Sequence, residues 1–588
     1  MKTLTKYSFL PIFFLVALVA LAGCKTLINR DKTNKKNATA RRYPPNQILA
    51  EYASPGSSSR NYLVIHGFGL VFNLGDNGGV EVDSAHRRLV VEELKRMDIQ
   101  SPSQLVDSKD TAIVHVVAKI PPGTRKGDPI DVEISLPPQS ECRSLHGGIL
   151  HKTVLTEMME VNSTYARGGI WASVEGPLLL DPKFDKNTTQ FEKRAVILGK
   201  AQCRYDRDFN FTLKTDDASD PAQLARIADE LEQRINKRFK IEGDPTGVAK
   251  AKAQPSVGVE VKMHPFYREA PNHYMAVLMS IRCFENETQQ TQRFEDLKRD
   301  LLDPEKSQAA ALQLEALPGK MGAEPLCEGM KSLNPNVQFY SAEALAYLRK
   351  PGVVGIAPVL AEFARNDPKK RQAAITALAS MGSDLEAAES LIPLMASGDP
   401  DLRYGAFWAL RRRNPEHPAI RAWPQDAYPY HYHVLPFDEP LVHATTTGRS
   451  EIVLFSQNIK LNPFIGNAGK SIMVNVVSPD QVEIVRVNPG RISETRTRPN
   501  SLDKVLEAIA ELGGSYQDTL EFLNEAGAEQ QNGYHALTCR FVVDGISLDN
   551  ERSYNAALYA DDDPDFKPAV EERKQKTAFN ILNPVTWR

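Results

Sequence analysis

The chain has 588 residues, enough for roughly four domains at about 150 residues each. With 42% hydrophobic and 25% charged residues its composition is that of ordinary globular protein, which excludes a collagen-like chain, a mainly disordered one and a multi-pass membrane protein. The formal charge of −3 hides a split between a basic N-terminal stretch and an acidic remainder.

Lys2 and Lys6 precede an apolar run, Phe9 to Ala22, broken only by Pro11. That run is shorter than the roughly 20 residues needed to cross a bilayer, and small residues follow it, the pattern of a secretory signal over residues 1–23. Its end, Leu21-Ala22-Gly23-Cys24, resembles a bacterial lipobox. The resemblance implies cleavage before Cys24, acylation of Cys24 and a membrane anchor made of acyl chains. Lys25 stands where an inner-membrane retention signal would place Asp, which favours the outer membrane. Residues 24–59 read as a disordered basic tether: 25–42 carry a net charge of +6, leaving −11 on 43–588. Nothing in the acidic part has a nucleic-acid footprint. Five cysteines remain beyond Cys24, an odd number with no CxxC spacing, so a zinc or thioredoxin-like site is not expected and the disulfide pairing stays open.

Residues 60–290 read as β-rich α+β. Val90, Val91 and Leu94 amid charges predict a helix between Asp83 and Met97. Ala112 to Ile120 is a buried-strand run, and Ile130, Val132, Ile134 and Leu136 alternate with polar residues as a half-buried strand. Pro121-Pro122-Gly123 joins the two as a turn. Ser219 to Arg238 carries apolar residues at helical spacing, and Val257 to Val261 and Tyr274 to Arg282 read as strands.

Residues 296–415 change pattern. Asp303-Pro304, Asn334-Pro335, Asp367-Pro368 and Asp399-Pro400 recur at intervals of 31, 33 and 32. Leu314, Leu345, Leu378 and Leu410 each stand 11 residues after their Asx. Asx caps a helix and Pro fits its first position, where the missing N–H does no harm. A fixed period of this size predicts an all-α solenoid of four repeats, which resembles short HEAT repeats and implies a protein-docking surface.

Residues 416–449 read as a Pro- and aromatic-rich linker, and 450–555 as a second α+β domain. Its predicted strands are Glu451 to Phe455, Ser471 to Val477 and Val482 to Val487. Two helices follow: one with Leu502, Val505, Leu506, Ile509 and Leu512 on a stripe, then, past Gly513-Gly514, one opened by Ser515 and Asp518 as a variant capping box. Tyr534 to Val543 reads as a closing strand, and 556–588 as a charged tail.

No HExxH, GxSxG or GxxxxGK[ST] motif is present. Gly67-Phe68-Gly69 opens like a dinucleotide loop, but Phe72 stands where the third Gly belongs, and the glycines read as a tight turn between strands. His431, His433 and His443 lie close together but read as ordinary surface histidines. Asp206 and Asp208 flank Arg207 without further acid/base context. Asp561-Asp562-Asp563 lacks the other oxygen ligands of a calcium loop. No catalytic residue, cofactor or metal is expected.

Several segments, in order, resemble the bacterial flagellar P-ring protein family. They are Ile65-His66-Gly67-Phe68-Gly69-Leu70-Val71, Ala118 to Pro122, Arg125-Lys126-Gly127-Asp128-Pro129-Ile130-Asp131-Val132, Ser144-Leu145-His146-Gly147-Gly148-Ile149-Leu150 and Ile170 to Pro177. Phe211 to Lys214 with Ala225 to Asp229, and the helix pair Ser501 to Ala528, continue the series. The resemblance covers about 60–285 and 445–545. It implies a non-enzymatic subunit that self-associates into a periplasmic ring, a bushing around the flagellar rod, with rod and L-ring proteins as partners and peptidoglycan around it. The lipobox and the solenoid depart from the family pattern. A non-flagellar envelope lipoprotein, an adaptor on the same scaffold, is the alternative they leave open.

Overall fold

The computed structural model describes residues 47–543, apart from 80–84, 139, 162–163, 181–190, 215–219, 242–245, 253–257, 383, 421–427, 488–491 and 531–532. The signal, the Cys24 anchor, nearly all of the tether and the charged tail lie outside the described residues. Among the described residues no helix is long and apolar enough to cross a membrane.

The chain enters through a short strand, β1 (Ala53–Pro55), and then builds a barrel. Its strands are β2 (Leu63–Phe72), β3 (Ala112–Ile120), β4 (Pro129–Ser135), β5 (Ile149–Val161), β6 (Thr164–Pro177), β7 (Leu179–Leu180) and β8 (Arg194–Cys203). They run in the order β4-β3-β2-β5-β6-β8-β7, and a further β4–β8 pairing closes six of them on themselves. Inward residues such as Ile65, Val114, Val116, Val132, Ile134 and Leu155 fill the interior, as their period of two requires. Helix α1 (Ala85–Arg96) lays Val90, Val91 and Leu94 over Leu70 and Ile113 on the outside.

The expected turn at Gly67 and Gly69 is not there: both lie inside β2. A Cβ at Gly67 would stand 2.6 Å from the Val154 carbonyl oxygen, and one at Gly69 2.3 Å from Thr153 Oγ1. The glycines let β5 cross close over β2, a use of the missing side chain that needs no unusual φ.

A second sheet, ordered β1-β9-β11-β10, uses β9 (Phe209–Leu213), β10 (Ala249–Lys252) and β11 (Gly258–Val261). Helix α2 (Pro221–Arg238) packs on it through Leu224, Ile227, Leu231 and Ile235, with Asp220 capping and Pro221 at its first position. Tyr274 to Arg282, expected as a strand, is mostly helix α3 (Pro271–Met279). Its seven residues from His273 to Met279 are all buried. A continuous apolar run carries no periodicity to tell strand from helix, and burial on all sides removes the amphipathic signal.

The helical row follows: α4 (Glu287–Leu301), α5 (Ser307–Glu315), α6 (Ala323–Gly329), α7 (Pro335–Leu348), α8 (Ile356–Asn366), α9 (Arg371–Ser380), α10 (Leu385–Leu391) and α11 (Pro400–Arg413). Helices α5, α7, α9 and α11 lie side by side in one layer, α8 and α10 in a second. The four period-matched leucines, one on each first-layer helix, are fully buried. Asn334 and Asp399 cap α7 and α11 as expected, with Pro335 and Pro400 at the first position. Asp303 and Asp367 cap a single turn instead, and α5 and α9 begin a few residues later, at Ser307 and Arg371.

The segment 416–449, expected as a linker, supplies β12 (His431–Val434) and β13 (Leu441–Ala444). With β14 (Glu451–Leu454) and the last described strand they form a sheet. A four-stranded meander comes next: β15 (Ile465–Ala468), β16 (Ile472–Ser478), β17 (Gln481–Arg486) and β18 (Glu494–Pro499). Helices α12 (Leu502–Glu511) and α13 (Tyr516–Gly527) cover its inner face, and the Ser515–Asp518 capping box is present. Only Arg540–Val543 (β19) of the expected closing strand is extended, paired with β13. Cys142, Cys203, Cys283, Cys327 and Cys539 are unpaired, and burial foremost pushes all five thiols up.

Candidate assembly region

Three polar junctions tie these parts together, and each is built from residues far apart in the chain. The first lies where the row leaves the β-rich region. His273 Nε2 of α3 is 2.8 Å from Glu315 Oε2 at the end of α5, and Tyr267 donates its hydroxyl to Glu315 Oε1 at 2.6 Å. Arg238, ending α2, donates to the Glu315 carbonyl and to Tyr267. Glu343 of α7 stands on the other side of the His273 ring, 3.8 Å from Nδ1. Both glutamates are buried, and Tyr347 stacks on His273.

The second lies where the row rejoins the chain. Glu451, at the start of β14, is fully buried. Arg411 of α11 and Arg449 both donate to its Oε1, Tyr404 of α11 donates to Oε2 at 3.0 Å, and His433 Nε2 lies 3.3 Å away. Burial alone pushes this carboxyl up; Arg411, the His433 hydrogen bond and Arg449 overcome it and hold Glu451 well below the usual carboxylate range. His443 stacks on Tyr404 at 3.8 Å between ring centres.

His433 and His443, expected at the surface, are therefore core residues. Adjacent strands bring them in: β12 pairs with β14 and β14 with β13, which sets His433 and His443 on either side of Val453. Burial pushes His431 down to about 4 and His443 to about 3, so both rings are neutral near pH 7.

The third junction joins the barrel to the C-terminal domain. His146, in the Ser144-Leu145-His146-Gly147-Gly148 stretch, has Nε2 2.8 Å from Glu521 Oε1 of α13. Gln517 of the same helix accepts the Leu180 N–H at 2.8 Å. Asp131, in the Gly-Asp-x-Ile-Asp stretch, accepts the N–H of Gly199 and of Gly448, each at 2.7 Å. A Cβ on Gly199 would stand 2.0 Å from the Gly448 carbonyl oxygen, so this approach needs glycine. His146, Asp518 and Glu521 also form a group whose ligand atoms lie within 4.8 Å of one another. Asp518 already serves the α13 cap and Glu521 already faces His146, so the group reads as a clamp.

Asp206 and Asp208 are structural as well. Arg125 lies 3.5 Å and 3.4 Å from their carboxylates, and the Lys126 N–H donates to Asp206 at 2.7 Å. The buried Arg207 donates to the carbonyls of Ile120, Ser58 and Asn61 and so holds the end of β3. The Gly123 N–H donates to the Arg207 carbonyl, which fixes the Pro-Pro-Gly turn. The Asp561–Asp563 run and Cys24 lie outside the described residues.

Glu315, Glu343, His273 and Glu451 carry no sequence motif. The one available signal was place: Glu315 and Glu343 stand inside apolar stretches, and His273 and Glu451 open one.

Charge buried to join elements to one another defines a structural scaffold. Residues 53–292 match the family model described as "Flagellar P-ring protein", and the similarity to the P-ring family is shown over that segment. The flagellar P-ring protein of Thermotoga petrophila is 29% identical over 132 residues, covering 22% of this chain and 37% of that protein. That of Wolinella succinogenes is 25% identical over 185 residues, covering 30% and 50%. Flagellar P-ring protein 1 of Hahella chejuensis is 29% identical over 136 residues, covering 23% and 34%. The chain thus spans about a third to a half of the length of these relatives. Most of the helical row, and everything after it, lies beyond the family match.

Proposed function

We propose that this chain is a structural subunit of the P ring of a flagellar basal body, working in the periplasm as a bushing around the rod and catalysing no reaction. The observation that carries this reading is the family match over 53–292, which contains the whole barrel and the second sheet. A ring needs a head-to-tail interface that closes, and a stiff subunit suits it. The three polar junctions supply that stiffness. In this reading Cys24 is lipidated and holds the subunit at the outer membrane, peptidoglycan surrounds it, rod and L-ring proteins contact it, and the helical row, a HEAT-like solenoid, docks another envelope protein.

The test is deletion of the gene, read by swimming and by imaging of basal bodies. Loss of motility with loss of the ring is expected. A deletion strain that swims and keeps its rings overturns the flagellar reading. It would favour the second one, a non-flagellar envelope lipoprotein used as an adaptor, which rests on the row lying outside the family match. Cys24→Ser should release the protein from the membrane fraction; unchanged fractionation overturns the anchor.

A further inference from the structure

The loops that join first-layer to second-layer helices, 316–322, 349–355 and the described residues 381, 382 and 384, lie next to one another along one edge of the row. Lys320 Nζ donates to the Arg349 carbonyl at 2.8 Å, and Arg349 donates on to the Ser380 carbonyl. The Gly355 N–H is held by the Glu386 carboxylate at 2.9 and 3.0 Å. This edge shows solvent an apolar side chain in each of three successive units: Met321 at 51% exposure, Val354 at 76% and Leu385 at 69%. They stand near the starts of α6, α8 and α10, so the row's own period sets them in line. Lys320 and Lys350 are exposed on the same edge, and neither joins an ion pair among the described residues. Of the nearby acids, Asp384 caps α10 and Glu386 holds Gly355, while Glu324 in the first turn of α6 stays exposed. The edge is therefore apolar and basic.

We infer that this edge is covered by the chain's own segment Leu558–Phe566, Leu-Tyr-Ala-Asp-Asp-Asp-Pro-Asp-Phe. The segment has four aspartates, no Lys or Arg, and Leu558, Tyr559 and Phe566 as apolar anchors. It complements the edge in both charge and hydrophobicity. Position agrees. The described chain ends at Val543 in β19, which pairs with β13; β13 pairs with β14, and Glu451 of β14 binds α11, the last helix of the row. From Val543 to Leu558 is 15 residues, which reach about 50 Å when extended at 3.3–3.6 Å each. Three stacked units, with helices 8–10 Å apart, span about 20 Å. The inference goes beyond the proposed ring function and does not depend on it.

The test uses the full-length protein in a water-soluble carbodiimide cross-linking experiment, which joins a Lys Nζ to a carboxylate in contact with it. Linked peptides connecting Lys320 or Lys350 with the 558–566 segment are expected in the monomer band, independent of protein concentration. In parallel, hydrogen exchange of loops 316–322 and 349–355 should quicken about fivefold in a variant carrying D561N, D562N, D563N and D565N, as when two exposed ion pairs are lost. That variant alters no described residue, and a K320Q/K350Q chain should show the same quickening of exchange if the segment is held by these two lysines. Cross-links confined to a dimer band would assign the edge to the tail of a second copy and overturn the inference as stated. No cross-links together with unchanged exchange overturns it outright.

Discussion

Glu451 binds two arginines, a tyrosine and a histidine while fully out of water. Removing it strands Arg411, itself nearly buried, beside an empty site. Glu451→Ala should therefore cost about 3–5 kcal/mol, the range for breaking a buried pair by deleting one partner. Urea unfolding of the purified protein measures it, and a cost below about 1 kcal/mol would show that the junction is not integral. Protons act on histidines in the barrel, the second sheet and the Glu451 junction. Burial, foremost, pushes His115, His264 and His431 down to about 4 and His443 to about 3. The unfolded chain takes up these protons below about pH 6.5, while the folded one resists them. Between about pH 6.5 and 4 the unfolded state thus binds more protons, and stability must fall as pH falls. Depressed Glu451 adds its loss only below about pH 4.3, toward its own low folded value. Urea midpoints from pH 7.5 to 4.5 should decline below about pH 6.5; a flat profile would contradict rings held neutral by the fold.

Helix starts in the row follow from local chemistry. The Asn334 side chain accepts the N–H of Asn336 and Val337, and that of Asp399 the N–H of Asp401 and Leu402. Asn334→Ala and Asp399→Ala should each cost about 1 kcal/mol, the usual value of a lost cap. Leu378→Ala, at a fully buried site between α8 and α11, should cost about 2–5 kcal/mol. Melting temperatures of the three variants should rank accordingly, with Leu378→Ala lowest. These elements were legible in the chain because a cap acts over two or three residues and a buried leucine repeats with its helix. Helix α3 was not, since a segment buried all round has no polar face to set its period. Strands β12 and β13 were hidden too: at four residues each they are too short to show alternation, and all but His431 are buried.

One hydrophobic core runs from Leu49 through α2, α3 and the row to Phe455. The row is therefore not a bead on a string; its two ends are sealed by the Glu315 and Glu451 junctions. The row and the second sheet should unfold together, so circular dichroism and fluorescence, in a variant that keeps Trp408 of α11 as its one tryptophan, should report the same urea midpoint. A separate, earlier transition in the fluorescence would mean that the row opens alone. The patterns of two and 3.6, the Asx-Pro caps, the capping box and the glycine-rich stretches of the barrel are written in neighbouring residues, because backbone hydrogen bonding and side-chain periodicity act within a few positions. The junctions are not: His273 meets Glu315 across 42 positions, Arg411 meets Glu451 across 40, and His146 meets Glu521 across 375. Which charge neutralises which depends on how sheets and helices come to lie against each other, and burial turns such chance neighbours into necessary partners, since an unpaired charge cannot remain in a dry interior.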